Sequence, residues 1–541
     1  MSSAHVCRFL MKMSLPAIAW SSVTAGAAAD NAAPPSPAAA QWWADIAAIA
    51  NDGMEGRLTG SPGYMRAAEY VISRFKAEGL KPAGTEGFMQ RVVFEQQLID
   101  QTASTLDLVA ADGSLVPLNA GRDARIAPSG APVPDRIDAP LVFLGYGLHL
   151  PRQGADDFAG FDLKGKIVVV LSGGPANISG PIKSSARFAR AEQLGKLGAL
   201  GMIVLTTPHQ TEIPWSRQIL LASQPGMYLQ DAGLREAPDG FITVGLDPAR
   251  SEVLFAGAGH TFAELCMLAD ASKPVPTFAL PFRLRGSIAV KREQLSSPNL
   301  VAELPGHDPK LAKQFVVVSA HLDHLGIGAP INGDKIYNGA MDDASGVATV
   351  LDIADRLKKG PRPRRSILFL IVTAEEKGLL GSHYFARHPT VPKEGIVADL
   401  NFDMPLPLWP LTKVFAPGED ESTLGADARA VAAMQGLQMA PDALPDRNVF
   451  IRTDQFSFVR EGIPSLAFKF GFAKDTAEFQ IEHDWRANRY HAPSDDLDQP
   501  VMKEEAVKLD AYVAALAARV ANADARPEWL PTSVFRPEAA P

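Results

Sequence analysis

An α/β fold, with a mixed, largely parallel central sheet flanked by helices and a smaller inserted α+β unit, is the class this sequence predicts. Three observations predict it. From Ser297 onward, strand-length apolar runs alternate with segments of helical spacing, the pattern of a parallel sheet covered on both faces. Two of those runs, residues 315–320 and 367–373, show no polar alternation, as expected of strands buried on both sides. Between about 131 and 282 the texture shifts to short strands punctuated by turns, with one clear helix.

The chain has 541 residues, 46% hydrophobic and 21% charged, enough to bury a large core and divide into two or three domains. At its start, Arg8 and Lys12 precede a moderately apolar stretch, residues 13–23, and then TAGAAAD. Ala25-x-Ala27 and Ala27-x-Ala29 both place small residues at the −3 and −1 positions of a cleavage site. Residues 1–29 are therefore expected to be a signal peptide cut near Ala27 or Ala29, making the protein periplasmic or secreted. The plain alternative is an Ala-rich N-terminus on a cytosolic enzyme. Loss of Arg8 and Lys12 would carry the net charge from −9 to −11. No apolar run approaches the ~20 residues of a membrane span, so no transmembrane span is expected. Cys7 would leave with the signal, and Cys266 alone cannot form an intramolecular disulfide. A mildly acidic chain without a Lys/Arg-rich block argues against nucleic acid as a partner.

In chain order, residues 30–41 have linker composition, and a helical pattern begins at Trp42. DGMEGRLTGSPGY is dense in glycine and turn residues. MRAAEYVISRFKAEGL places Ala68, Val71, Ile72 and Phe75 at helical spacing and stops at Gly79. A β-like segment, FMQRVVFEQQ, comes next. APLVFLGYGL, GKIVVVLSGG, GMIVLTT and GFITVGL read as strands, with the helix SARFARAEQLGKLGA before the third. SGGPANISGP lacks the Gly-Lys-Ser/Thr ending of a phosphate-binding loop and reads as a plain loop. Beyond SPNLVAEL and FVVVSAH, a helix is expected over 344–358, the strand SILFLIVT, a helix over 379–387 and the strand GIVADLNFDM. A helix over 426–436, the strand IPSLAFKF, a long last helix and an extended Pro-rich tail complete the pattern.

The ends of these strands carry the chemistry. Crevices beyond the carboxyl ends of strands are where sites form in open α/β sheets. His321-x-Asp323 follows one strand, and an Asp two positions on can orient an imidazole that binds metal; His324 is a further candidate. Asp342-Asp343 precedes a helix, where one Asp suffices as a cap and the other is left free. Glu375-Glu376 follows a strand; adjacent carboxylates can divide metal binding and proton transfer between them. Asp403 ends an apolar strand, where an unpaired carboxylate would be costly. His491 lies in a polar loop, RYHAPSD. Taken singly, each has an ordinary structural account. Together they amount to an O/N ligand set with one shared carboxylate, which suits a pair of zinc ions, or cobalt or manganese, with positions left open. The chain has no HExxH segment.

At these residues the chain resembles the M28 family of zinc metallopeptidases, whose aminopeptidase members hold two zinc ions. Five separated segments occur in the family's order, from DGMEGRLTGSPGY to WRANRYHAPSDD. VFLGYGLHLP…DDFAGFDLKGKIVVVL is similar to a protease-associated domain. The resemblance implies a zinc-exopeptidase-like fold: signal peptide over 1–29, N-terminal part of the peptidase domain over 30–130, inserted domain over 131–285, main peptidase part over 286–525 and tail over 526–541. It implies His321, Glu376, Asp403 and His491 as ligands of two zinc ions per chain, with Asp342 as the bridging carboxylate. Glu375 matches the general acid/base and Asp323 the partner of His321. Asp454, in TDQFSF, matches a segment near the site. Met341 stands where some members carry a further Asp, and His324 where some carry Ser.

The expected activity is hydrolysis of N-terminal residues from peptides or small aminoacyl substrates, through a metal-bridging water activated by Glu375. Rival readings are a cyclase of N-terminal glutamine on the same fold with a single zinc, and a carboxypeptidase of the glutamate-releasing kind, which would need an Arg-lined pocket. A non-catalytic binding protein, which would be expected to lose ligands, is the rival from another class.

Overall fold

The computed structural model of the chain describes residues 34–537 apart from 129, 212 and 223; the expected signal peptide at 1–29 lies outside them. Two helices, α1 (Pro37–Ile49) and α2 (Pro62–Ala77), precede the long strand β1 (Met89–Ala110). The next region holds β2 (Arg136–Leu144), β3 (Ile167–Leu171), α3 (Gly180–Lys196), β4 (Gly201–Leu205) and β5 (Ile242–Leu246). A strand of 28 residues, β6 (Thr277–Leu304), leads into β7 (Phe315–His321), α4 (Ser345–Lys359) and β8 (Ser366–Val372). Then come α5 (Leu380–Arg387), β9 (Ile396–Phe402), α6 (Gln455–Arg460), β10 (Ser465–Phe470), α7 (Ala477–Asn488) and α8 (Lys503–Asn522).

These strands form one sheet in the order β10-β9-β7-β8-β6-β2-β3-β4-β5. β10, β9, β7 and β8 are parallel, β6 is antiparallel to both β8 and β2, and β2 to β5 are parallel again. The mixed, largely parallel sheet that the alternation predicts is what forms. Its two halves share β6: residues 300–304 pair with β8, whereas residues 277–287 pair with β2. The chain crosses the expected 285/286 boundary inside this strand without a break. β1 runs antiparallel beside it from Met89 opposite Leu300 to Ala110 opposite Phe282, which extends the short β-like segment expected there.

The unbroken apolar runs are explained by the layers. Val316, Val318, Ala320, Ile367, Phe369 and Ile371 face a core built with Trp42, Phe75, Val347, Leu351 and Tyr512 of the helices α1, α2, α4 and α8. Their sequence neighbours Val317, Leu368, Leu370 and Val372 face the opposite side, against Phe385 of α5 and Phe458 of α6. Each such side chain contributes about 1.5–3 kcal/mol when fully buried; polar residues buried in β7 and β9, Ser319, Asp399 and Asn401, are linked through the Ser319 hydroxyl, which donates to Asp399 and accepts from Asn401. The region between β2 and β6 builds its own core around Phe143, Val169, Ile203, Val244 and Leu265. The tail is held: Trp529 Nε1 donates to the Gly462 carbonyl at 2.8 Å, and the Phe535 ring lies 5.1 Å from that of Phe450. No helix among the described residues is long and apolar enough to cross a membrane.

Candidate metal centre

Because β7, β8 and β9 are parallel, their carboxyl ends open at one edge, and the expected residues collect there. His321 is the last residue of β7, Glu375 and Glu376 lie in the turn after β8, and Asp403 directly follows β9. Asp342 comes from the segment Ala340–Ala344 in front of α4, and His491 from the loop after α7.

Asp342 is central. Its Oδ1 lies 3.4 Å from His321 Nε2, and its Oδ2 lies 3.3 Å from His491 Nε2. Glu376 meets two imidazoles, His491 Nε2 at 3.2 Å from Oε2 and His324 Nδ1 at 2.7 Å from Oε1. Two sets of ligand-type atoms result, His321–Asp342–Asp403 and His324–Asp342–Glu376, each with all atoms within 4.8 Å of one another. His491 approaches the carboxylates of the second set at distances comparable to those of His324, so that side of Asp342 holds three groups, His324, Glu376 and His491.

These approaches are not hydrogen bonds. His321 Nε2, both ring nitrogens of His324 and Glu376 Oε1 are buried and have no hydrogen-bond partner, although Glu376 Oε1 and His324 Nδ1 stand 2.7 Å apart. Buried polar atoms are normally satisfied. Imidazole nitrogens and carboxylate oxygens converging in pairs without hydrogen-bond geometry fit divalent cations of the zinc type.

Burial alone would lower the His321 pKa, but the carboxylates of Glu375, Asp342 and Asp343 outweigh it and hold it well above the ordinary value. Burial likewise opposes ionisation of Asp342, yet His321 and His491 bring it well below the usual carboxylate range. Glu375 goes the other way: burial, then the charges of Asp403, Asp454 and Glu376, push it well up against the pull of His321. The adjacent glutamates therefore differ in character, Glu375 favouring its protonated form and Glu376 its ionised one.

The groups behind the site differ in part from the sequence reading. His321 Nδ1 faces the main-chain oxygen of Asp323 at 3.0 Å, while the nearer Asp323 carboxylate oxygen is 4.0 Å from that nitrogen. That carboxylate instead accepts from the Glu375 N–H at 3.0 Å, the Glu376 N–H at 3.4 Å and the Thr59 hydroxyl at 3.1 Å. Asp323 thus ties the two glutamates to the strand end bearing His321. Asp343 accepts from the Gly346 N–H at 2.9 Å in the first turn of α4, so it is the Asp of the pair that caps, and it also accepts from the Met404 N–H at 3.1 Å.

Other supports went unread in the sequence. Asp495 accepts from the Met341 N–H at 3.0 Å and the Asp342 N–H at 3.0 Å. Arg57 is fully buried and donates to the carbonyls of Leu322 at 2.7 Å, Gly339 at 3.0 Å and Asn338 at 2.5 Å, joining the loop after β7 to the one before α4. Both had a signal: Asp495 belongs to the RYHAPSD cluster, and Arg57 is the one arginine of the glycine-dense DGMEGRLTGSPGY. Asp454 is buried behind the site with both carboxylate oxygens unpartnered, and burial pushes it up to about 7.

Residues 299–517 match the sequence model of Peptidase family M28. The chain is 28% identical over 482 residues to the probable lipoprotein aminopeptidase LpqL of Mycobacterium tuberculosis, covering 83% of this chain and 78% of that protein. It is 24% identical over 347 residues to carboxypeptidase Q of Bos taurus, covering 63% and 60% of the two chains. Its fold superimposes on that of an aminopeptidase from Aneurinibacillus sp. strain AM-1 with a TM-score of 0.52 at 20% identity, over 93% of this chain and 98% of the other.

Proposed function

We propose, from the match of residues 299–517 to the model of Peptidase family M28, that the chain is a zinc-dependent aminopeptidase releasing N-terminal residues from peptides or small aminoacyl substrates. The observation that carries this reading is the convergence of His321, Asp342, Glu376, Asp403 and His491 at the carboxyl edge of the parallel strands, with His321 Nε2 and Glu376 Oε1 buried and unpartnered.

His321, Asp342 and Asp403 would hold one zinc ion; Asp342, Glu376 and His491 would hold the second, with Asp342 shared and His324 beside Glu376. Bound there, the ions supply a water activated at neutral pH and a Lewis acid for the scissile carbonyl. Glu375 lines the same cleft as Asp342, Asp403 and His491. It takes the proton of the attacking water and returns it to the leaving amine. Support for that role comes from burial, which raises Glu375 well above the ordinary carboxylate value and so makes it a stronger proton acceptor. Asp323 keeps Glu375 and Glu376 in place through their N–H groups. The region 131–285 is proposed as a protease-associated-like domain, and residues 1–29 as the signal that exports the enzyme.

Zinc-loaded protein assayed on aminoacyl anilides and on their N-blocked counterparts tests the activity. Cleavage confined to free amines is expected; equal cleavage of blocked substrates would refute an aminopeptidase.

A further inference from the structure

His491 sits in the loop after α7 with its backbone in the left-handed region, at φ 53°. A residue bearing a Cβ adopts that conformation only where its surroundings hold it. The far end of the loop is anchored by Asp495, which accepts from the N–H groups of Met341 and Asp342. The near end is anchored from the inserted region. Arg217, in the short helix Trp215–Leu221, donates from Nη1 to the Ala487 carbonyl at 2.8 Å. Its Nη2 donates to the Tyr490 carbonyl at 2.8 Å and to the Arg486 carbonyl at 3.4 Å. Arg486 and Ala487 lie in the last turn of α7, where carbonyls lack partners within the helix and favour a cation. Tyr490 directly precedes His491, and the two rings stack with centroids 3.9 Å apart. One planar guanidinium thus spans the helix end and the residue that leads into His491.

The helix bearing Arg217 is itself held. Trp215 Nε1 donates to the Arg122 carbonyl at 2.6 Å. Gln224, just beyond the helix, lies against the hairpin of Gly326–Ile331 and Asp334–Tyr337, where a Cβ on Gly328 would stand 2.7 Å from its Nε2. We infer that Arg217 is a positioning residue for His491, through which the inserted region sets the affinity of the metal position that His491 shares with Asp342 and Glu376. This rests on the two-zinc reading of the site. Without Arg217 the Ala487 and Tyr490 carbonyls turn to water, and the chain around His491 is free to leave its left-handed turn. The loss falls on one ion, because His321 and Asp403 are placed by the ends of β7 and β9 instead.

Zinc binding to the full chain is measured by competition with a chelator, with no substrate present. Arg217→Met, at a partly exposed position, should weaken one zinc equivalent by about tenfold or more and leave the other as in wild type. In a His491→Ala background the same substitution should cost no further affinity, since its effect passes through the missing imidazole. Arg217→Lys, which keeps a donor for the Tyr490 carbonyl, should recover part of the loss; this variant decides if His491→Ala no longer holds that equivalent. Unchanged affinity in Arg217→Met, equal weakening of both equivalents, the same loss with and without His491, or no recovery with lysine would each overturn the proposal. The peptidase reading fails separately, if wild type binds two zinc ions and Arg217→Met weakens one of them while zinc-loaded wild type cleaves no aminoacyl anilide.

Discussion

At the residue scale, two pairs of neighbours carry different chemistry. Glu376 faces His324 and His491, whereas Glu375 faces the cleft and is pushed up by burial. Glu375→Gln keeps the shape and removes the proton acceptor. Turnover should fall by at least about 10²–10⁴-fold, with zinc content by elemental analysis equal to wild type; a zinc-free variant would reassign Glu375 as a ligand. Asp342 and Asp343 divide likewise, the first toward two imidazoles and the second toward the N–H groups of Gly346 and Met404. Asp342→Asn should lower the content of both metal positions together. Loss of one equivalent with the other intact would contradict a shared ligand.

At the scale of elements, the site depends on loops fixed from behind, and here legibility in the sequence ran out. Strands and their terminal acids were readable because two-sided burial writes a continuous apolar run with a polar residue at its end. The length of β6 was not, because Pro281, Gly286 and Pro298 interrupt its pattern; only the pairing with β1, where Pro298 stands opposite Arg91, makes it one strand. Nor was the true role of Asp323 readable. A spacing of two suggested a contact with the His321 ring, but the turn of the chain offers that ring the Asp323 carbonyl and sends the carboxylate to Glu375 and Glu376. Asp495 is the sharper case, since its acceptors come from a segment some 150 residues away. Asp495→Ala leaves two buried N–H groups unpaired at about 1–3 kcal/mol each. It should also weaken zinc affinity by about 10–100-fold, as loss of supporting groups does. Competition with a chelator measures it, and unchanged affinity would show that Asp342 holds its place without Asp495.

At the scale of the whole molecule, the region between β2 and β6 packs on α5 and α6 through a compact set of charges and rings. Glu236 pairs with Arg460 at 2.6 Å, His383 Nδ1 lies 3.7 Å from the same Glu236 oxygen, and Arg460 covers the ring of Phe188. Burial, reinforced by Arg460 and Arg387 against the opposing charge of Glu461, drives the His383 pKa down to about 4. The imidazole is therefore neutral when folded at pH values where it is charged when unfolded. Its contribution is fully present above the unfolded value of 6.5 and is lost as pH falls from there through about 4. The difference in pKa corresponds to about 3 kcal/mol. Glu236, raised by burial despite Arg460, acts in the opposite sense, favouring the folded state at lower pH, but it is common to wild type and variant. Urea unfolding of His383→Gln beside wild type between pH 7 and 4 isolates the histidine. Wild type should lose up to about 3 kcal/mol more than the variant across that window, with the loss concentrated below pH 6.5. Parallel curves would mean that His383 takes up a proton in the folded protein, and that the interface opens before the chain unfolds.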